Sequence, residues 1–186
     1  VMRRAKRENY QVKIRRQAEI PATELSDLTK LTEQWRSGDE RGYSMASSRF
    51  GDPTDQQIMI VTASDAAGKV QGILSFVPVG SDKLSLDTMR RSPEAMNGAV
   101  TFMISSLIEA AKEKEISEIS LNFAAARQFF INGETLQANA LDKAARTVMK
   151  FFSRWYQLES LYRSNDIYLP EWRTRYICYD NGGSLT

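Results

Sequence analysis

The sequence contains no histidine and a single cysteine among its 186 residues. The absence of histidine excludes Ser-His-Asp and Cys-His mechanisms and any metal site that needs an imidazole ligand. Cys178 cannot form a disulfide within the chain, and the apolar run at residues 176–179 favours a core position over a nucleophilic role. Any chemistry must therefore rest on carboxylates, cationic side chains, hydroxyls, amides and backbone groups. We expect neither a metal nor a cofactor.

Long hydrophobic runs are also absent. No stretch approaches the roughly 18 uninterrupted apolar residues that a membrane span needs, so none is expected in this chain. The composition, with 42% hydrophobic and 26% charged residues, is typical of a folded domain with a sizeable core. The chain begins at Val1 and shows no signal-peptide pattern, so we expect a piece of a longer protein.

The net charge of +2 conceals a strongly basic start, because residues 1–16 hold seven basic residues and only one acidic residue. A run of this kind beside a folded unit suggests contact with phosphate groups, either of nucleic acid or of anionic lipid headgroups. A solvated helix face, or an end exposed only because the chain begins there, explains the charge equally well. The sequence leaves these alternatives open.

Hydrophobic periodicity predicts a mixed α/β sheet. Helices are expected at residues 2–9, 24–37 (with Thr23 as the N-cap), 94–113 and 135–159, and strands at residues 10–14, 58–62, 70–77, 83–88, 116–123 and 173–180. The two strands around residues 65–68 are predicted to form a hairpin. After residue 23 the order is that of a GNAT-like fold, in which the middle strands splay apart and form a cleft.

The segment 85–93 places a carboxylate and two guanidinium groups where a strand pattern ends and a helix begins. Such junctions often hold binding and catalytic groups, although a charged surface turn is the plain alternative. Asp87 and Arg90 are three residues apart, so on a regular strand their side chains point to opposite faces. They can share a site only if the chain turns or bulges near residues 88–89.

Three separated segments, residues 39–53, 85–98 and 161–176, together resemble the cytosolic catalytic domain of phosphatidylglycerol lysyltransferases, the multiple peptide resistance factor family. The run at residues 120–125 is especially similar to the actinobacterial branch, in which this domain is fused to a lysyl-tRNA synthetase. The resemblance implies two GNAT-like units in tandem after a membrane region. Residues 1–16 would end the first unit, residues 23–180 would form the second, and residues 181–186 would be a tail.

The resemblance also implies an activity. An amino acid, lysine above all, would pass from its tRNA to a glycerol hydroxyl of phosphatidylglycerol at the cytoplasmic face of the bacterial plasma membrane, giving resistance to cationic antimicrobial peptides. Lysyl-tRNA, phosphatidylglycerol, the membrane surface and the rest of the parent protein would be the partners. The catalytic residues would be Asp87, which we expect to orient substrate rather than abstract a proton, and Arg90. Substrate-binding residues would be Glu40, Arg91, Asn122, Arg163 and Arg175.

Plain alternatives remain for two of these residues, since Glu40 fits a surface acid and Asn122 fits a polar residue closing a strand end. Two features also depart from the family pattern. Ile167 stands where the family usually has a lysine before its Pro-x-Trp motif, and the chain stops where the family continues. These departures favour a second interpretation, a catalytically weakened tRNA- or membrane-binding module of a larger enzyme. An acyl-CoA-dependent enzyme is disfavoured because the loop at residues 90–98 lacks the Gly-rich run that cradles a pyrophosphate.

Overall fold

The computed structural model describes residues 1–36, 50–122 and 165–173. The chain divides into two compact units, residues 1–123 and 124–186. Within the described residues, the first unit contains the helices α1 (Met2–Arg7), α2 (Ala22–Gln34) and α3 (Ala99–Ala110) and the strands β1 (Gln11–Arg16), β2 (Met59–Ser64), β3 (Val70–Val79), β4 (Lys83–Arg91) and β5 (Glu118–Ser120).

The five strands form one sheet in the order β1-β2-β3-β4-β5. The first four are antiparallel to their neighbours, whereas β5 lies parallel to β4. Because parallel neighbours need a crossover connection, α3 fills that role between β4 and β5. The predicted mixed α/β sheet of the GNAT-like type is confirmed.

The hairpin between β2 and β3 closes where the sequence predicts it. The Asp65 carboxylate accepts hydrogen bonds from the backbone amides of Ala67 and Lys69, both at 3.0 Å, and from the side-chain amide of Gln71 at 2.7 Å. The Gln71 bond above all, followed by these amides, lowers the pKa of Asp65. Gly68 adopts φ +80°, which suits a glycine in a tight turn.

Each face of the sheet packs on its own helix layer. On one face, Leu28 of α2 packs with apolar side chains of the loops and central strands, namely Ile20, Ile58, Ile60 and Ile73. On the other, the α1 residue Ala5 packs with Ala95, Met96, Ala99 and Phe102 of α3 and the loop before it, together with Val12 of β1. We call these the α2 face and the α3 face of the sheet.

Several predicted boundaries are wrong. Helix α2 begins at Ala22 with Pro21 as its N-cap, not after Thr23, because the Leu25 amide already donates to the Pro21 carbonyl at 2.9 Å. Helix α3 begins at Ala99, not at residue 94, because Gly98 at φ +91° interrupts helical geometry before it. Strand β4 continues to Arg91. The predicted helix over 135–159 lies outside the described residues, as does the strand over 173–180 apart from its first residue.

Residues 1–16 are part of the first compact unit. Strand β1 pairs with β2 along its whole length, from Gln11 opposite Ser64 to Arg16 opposite Met59. Helix α1 packs on α3 through Ala5, which is fully buried. The assignment of residues 1–16 to the end of a preceding GNAT-like unit, and the boundaries 23–180 and 181–186, stay predictions.

Candidate functional site

A β-bulge lies at the centre of the segment that the sequence analysis singled out. Ser75 of β3 is in register with Thr88 of β4, but the next residue, Phe76, is in register with Leu86. The register therefore skips Asp87, which is the extra residue of the bulge. A bulge re-aims the side chains that follow it along the strand.

The bulge is held by a small hydrogen-bond network on a buried serine. The Ser75 hydroxyl donates to the Asp87 carboxylate at 3.5 Å and accepts the backbone amide of Thr88 at 3.2 Å. The Thr88 hydroxyl donates to the same carboxylate oxygen at 3.0 Å. The Thr88 hydroxyl gives the shorter bond, and the fully buried Ser75 hydroxyl, at the longer distance, places the Asp87 carboxylate against the sheet.

The bulge also brings Asp87 and Arg90 to one face of the sheet. Ser75 and Ile73 both lie on the α2 face, and their register partners are Thr88 and Arg90. Because Asp87 bonds to Ser75, its carboxylate lies on that face as well. The sequence analysis required a turn or bulge near residues 88–89 for Asp87 and Arg90 to share a site. The structure has a bulge at Asp87, after which β4 continues as a strand to Arg91.

The two arginines at the end of β4 point in opposite directions. Arg90 is half-buried, and its guanidinium donates to the Met89 carbonyl at 3.1 Å. Arg91 is exposed and in register with Gly72, whose missing Cβ would lie 2.6 Å from Met103 of α3. Arg91 therefore belongs to the α3 face, and the structure does not place it with Asp87.

Asn122 lies directly beside the bulge. Pairing between β4 and β5 ends at Ser85 and Ser120, and beyond that point the Asn122 side-chain amide donates to the backbone carbonyl of Leu86. The Asn122 backbone has φ +68°, a left-handed conformation that asparagine tolerates better than most residues. Asn122 thus bridges the parallel strands where they part, one residue from Asp87.

The remaining predicted site residues, Glu40, Arg163 and Arg175, lie outside the described residues. The chain that follows the segment containing Glu40 is anchored by the buried side chain of Gln17. Gln17 accepts the backbone amide of Gly51 at 3.0 Å and donates to the carbonyl of Asp52 at 2.7 Å. The Gln17 side chain therefore holds the backbone at Gly51 and Asp52, a few residues before β2 begins.

The part of the second unit that is described contains the departure from the family pattern. Ile167 is 64% exposed, so its side chain is accessible to solvent. Nearby, Arg173 forms an ion pair with Glu171 at 2.9 Å, and its hydrogen bonds lower the pKa of the Glu171 carboxyl.

Sequence reasoning missed Ser75 and Gln17. Ser75 had a usable signal, because it is a single polar residue inside the otherwise apolar run of residues 73–77. A buried hydroxyl in such a run needs hydrogen-bond partners, which a neighbouring strand must supply. Gln17 had no comparable signal, since one glutamine near a strand end is ordinary.

Within the described ranges, no helix is long and apolar enough to cross a bilayer. The same residues contain no group of three or more histidine, cysteine or acidic side chains that could hold a metal ion.

A mixed sheet that opens between parallel β4 and β5, with a bulge in β4 at the opening, defines a GNAT-like domain. The sequence matches the family described as phosphatidylglycerol lysyltransferase, C-terminal, over residues 1–179. This chain therefore belongs to that family of transferase domains.

Curated relatives extend this result. The chain is 42% identical over 183 residues to the lysylphosphatidylglycerol biosynthesis bifunctional protein LysX of Rhodococcus jostii, covering 98% of this chain and 16% of that protein. It is 46% identical over 179 residues to the LysX protein of Mycolicibacterium vanbaalenii, covering 96% of this chain and 16% of that protein. The resemblance to the actinobacterial branch is confirmed. This chain spans about a sixth of the length of these relatives.

Two solved structures share the fold. L-PGS from Bacillus licheniformis superposes with a TM-score of 0.50 at 19% identity, covering 71% of this chain and 44% of that one. A C-terminal DUF2156 domain from Agrobacterium fabrum superposes with a TM-score of 0.55 at 15% identity, covering 70% of this chain and 42% of that one. At these identities the likeness shows the fold alone.

Proposed function

We propose that this chain is the transferring unit of a phosphatidylglycerol lysyltransferase. In this proposal it moves lysine from lysyl-tRNA to a glycerol hydroxyl of phosphatidylglycerol at the cytoplasmic face of the bacterial plasma membrane. The product carries less negative charge than its precursor, so the membrane attracts cationic antimicrobial peptides less strongly. Family membership supports the reaction class, and the bulge that joins Asp87 and Arg90 on one face carries the proposal.

The reaction is an ester exchange. The lipid hydroxyl oxygen attacks the ester carbonyl carbon of the aminoacyl group, and a tetrahedral oxyanion forms. The terminal ribose oxygen of the tRNA then leaves and takes up the proton that the lipid hydroxyl loses. The site must orient the hydroxyl and stabilise negative charge.

In this chain Asp87 would orient the attacking hydroxyl by accepting its hydrogen bond. The donors Ser75 and Thr88 hold the Asp87 carboxylate in one position. A carboxylate held in this way can orient a substrate hydroxyl. Arg90, on the same face, would hold a phosphate or the terminal adenosine of the tRNA. Asn122 bridges β4 and β5 beside this point and, like Glu40, Arg163 and Arg175, stays a proposed substrate contact.

The parent protein would supply further parts. The relatives are named bifunctional and are about six times longer than this chain, which supports a fusion with other units. We propose that these include a membrane region and a lysyl-tRNA synthetase. The second candidate function is a tRNA- or membrane-binding module without activity of its own. The exposed apolar Ile167, standing where the family usually has lysine, favours that candidate.

Transfer of radiolabelled lysine from charged tRNA to phosphatidylglycerol vesicles tests the proposal. The chain and its longer parent protein are assayed, each also as Asp87→Ala and as the matched control Asp27→Ala, an exposed acid on α2. We expect labelled lipid that falls by about a hundredfold or more with Asp87→Ala and is unchanged with Asp27→Ala. Labelled lipid that survives Asp87→Ala would contradict the role of this residue.

The two candidate functions give different outcomes in the same assay. Transfer by the chain itself excludes the binding module and shows that Ile167 is tolerated. Transfer by the parent alone makes this chain an incomplete part of the site. No labelled lipid from the parent, with either lysyl-tRNA or alanyl-tRNA, would contradict the transferase proposal.

A further inference from the structure

Helix α1 carries an exposed basic surface that the proposed reaction does not use. Its exposed side chains Arg3, Arg4, Lys6 and Arg7 all bear positive charge, and we call them the α1 cations. Within the part of the chain that the structure describes, Arg4 alone among them forms an ion pair, with Glu8 just after the helix at 2.6 Å. Four cations within five residues hold a field that attracts a polyanion.

The apolar side of α1 is already occupied within the domain. Ala5 is fully buried, and Met2 packs against the same cluster of α3 and loop residues. A helix that lies in a membrane interface needs an apolar face to place among the acyl chains. The apolar face of α1 packs inside the domain, so the surface that α1 presents to solvent is formed by charged side chains. Such a surface suits a chain of phosphates.

The position of α1 is fixed to the loop that connects β4 with α3. Val1 packs at Gly98, since a Cβ there would lie 3.1 Å from the Val1 side chain. The Tyr10 hydroxyl accepts the backbone amide of Met96 at 3.1 Å. Helix α1, and with it the backbone that carries the α1 cations, is therefore held beside residues 92–98, the segment that begins where β4 ends.

Arg91 extends the same charged region. It is exposed at the end of β4 and lies on the α3 face, the face that α1 also covers. Arg90 is the adjacent residue and lies on the face of Asp87. Arg91 is thus a further exposed cation next to the loop against which α1 packs. The one acid of that loop, Glu94, is paired with Lys69 at 2.7 Å.

We propose that the α1 cations, together with Arg91, bind the phosphate backbone of tRNA on the α3 face, so that its acceptor end passes the end of β4 to reach Arg90 and Asp87 on the α2 face. This inference rests on the proposed use of aminoacyl-tRNA. Contact is with phosphates rather than base edges, so it confers affinity without reading sequence. The amino acid and the acceptor lipid would be selected elsewhere in the site.

Binding of uncharged lysine tRNA, measured by fluorescence anisotropy between about 50 and about 200 mM KCl, tests the surface. The test variant is Arg3→Gln with Lys6→Gln and Arg7→Gln. The control is Lys13→Gln with Lys30→Gln and Lys112→Gln, which removes the same charge from exposed positions away from α1. Thermal melts should match wild type for both, because all six side chains are exposed.

We expect the α1 variant to weaken tRNA binding by about tenfold and to lower the slope of log affinity against log salt by about 2, as loss of two to three phosphate contacts requires. The control should change affinity by less than about twofold. Equal effects of the two variants would overturn the proposal, as would failure of the wild-type chain to bind tRNA. Loss of binding to phosphatidylglycerol vesicles with tRNA binding intact would assign the surface to lipid and overturn it too.

Failure of the proposed function would look different. If tRNA binding follows the α1 cations but no labelled lipid forms, the surface stands and the transfer reaction is refuted. If labelled lipid forms and the α1 variant keeps the wild-type KM for lysyl-tRNA, the reaction stands and the surface is refuted.

Discussion

The hydroxyl of Ser75 on β3 lies 3.5 Å from the carboxylate of Asp87 on β4, and this pair marks the position of the bulge. The same hydroxyl accepts the Thr88 amide, so one buried side chain supports both the backbone and the acid. The two residues are twelve positions apart and meet only because β3 and β4 are antiparallel. The proposed catalytic carboxylate is therefore oriented by a residue on a different strand.

Replacing Ser75 with alanine should reduce transfer without abolishing binding. The Asp87 carboxylate would lose one of its donors and the Thr88 amide its acceptor, so we expect kcat to fall by about tenfold with little change in KM for lysyl-tRNA. The part-buried Thr88 amide left without this acceptor should cost about 1 kcal/mol of stability. Ser105→Ala on α3 is the control and should leave kcat unchanged. An equal loss of kcat and rise of KM would argue against an orienting role.

Asn122 makes two separable contributions to the opening between β4 and β5. Asn122→Gly keeps the left-handed backbone at φ +68° accessible but removes the bond to the Leu86 carbonyl, which should cost about 1 kcal/mol. Asn122→Ala removes the bond and also strains the backbone, for about 1–2 kcal/mol more. Urea unfolding of the two variants measures the difference. If alanine proves no worse than glycine, the left-handed conformation is not retained in solution.

Alanine substitutions at Gly51 and Gly68 distinguish the cost of backbone strain from the cost of a steric clash. Both have positive φ, +83° and +80°, but a Cβ at Gly51 would lie 2.5 Å from the Thr29 hydroxyl, whereas none is within 4 Å at Gly68. Thr29 donates to the Leu25 carbonyl at 2.8 Å, so moving it away breaks a bond inside α2. We expect Gly68→Ala to cost about 1 kcal/mol and Gly51→Ala about 2–3 kcal/mol by urea unfolding. If the added Thr29→Ala substitution brings the cost of Gly51→Ala down to that of Gly68→Ala, the clash is confirmed, because the strain at φ +83° remains.

The ion pair between Arg15 and Glu24 predicts a pH dependence of stability. The bidentate hydrogen bonds from Arg15, one at 3.0 Å, are the main cause that lowers the pKa of Glu24 below its ordinary value of 4.5. The stabilisation is complete above about pH 4.5 and is lost as the pH falls through the folded-state pKa, because the unfolded chain binds the proton more readily. The pair is partly exposed, so we expect no more than about 1 kcal/mol.

Urea unfolding at neutral pH and at about pH 3 measures this contribution. Wild type should lose more stability on acidification than Glu24→Gln, and the excess is the share of this pair. Asp27→Asn, which alters an exposed ion pair on the same helix, should behave as wild type. Equal acid losses in wild type and Glu24→Gln would show that the Arg15 contact is not formed in solution.

The elements of the sheet could be predicted well from local patterns. The alternation in β1, the apolar runs of β2 and β3 and the turn at residues 65–68 are each visible within a few residues. The ends of the elements were harder to predict, because they depend on tertiary contacts that the local sequence does not show. Helix α3 starts late since Gly98 is left-handed and since Ala95 and Met96 are buried under α1 in a non-helical loop.

Sequence by itself determined the absence of histidine chemistry, the order of helices and strands over the described residues, and the family to which the chain belongs. These follow from composition and from residues close together in the chain. Tertiary structure alone decided that β4 bulges at Asp87, that Arg90 shares its face while Arg91 does not, and that Asn122 bridges β4 and β5. The reason is that strand register sets which side chains meet, and a bulge changes that register by one residue through contacts made across the sheet.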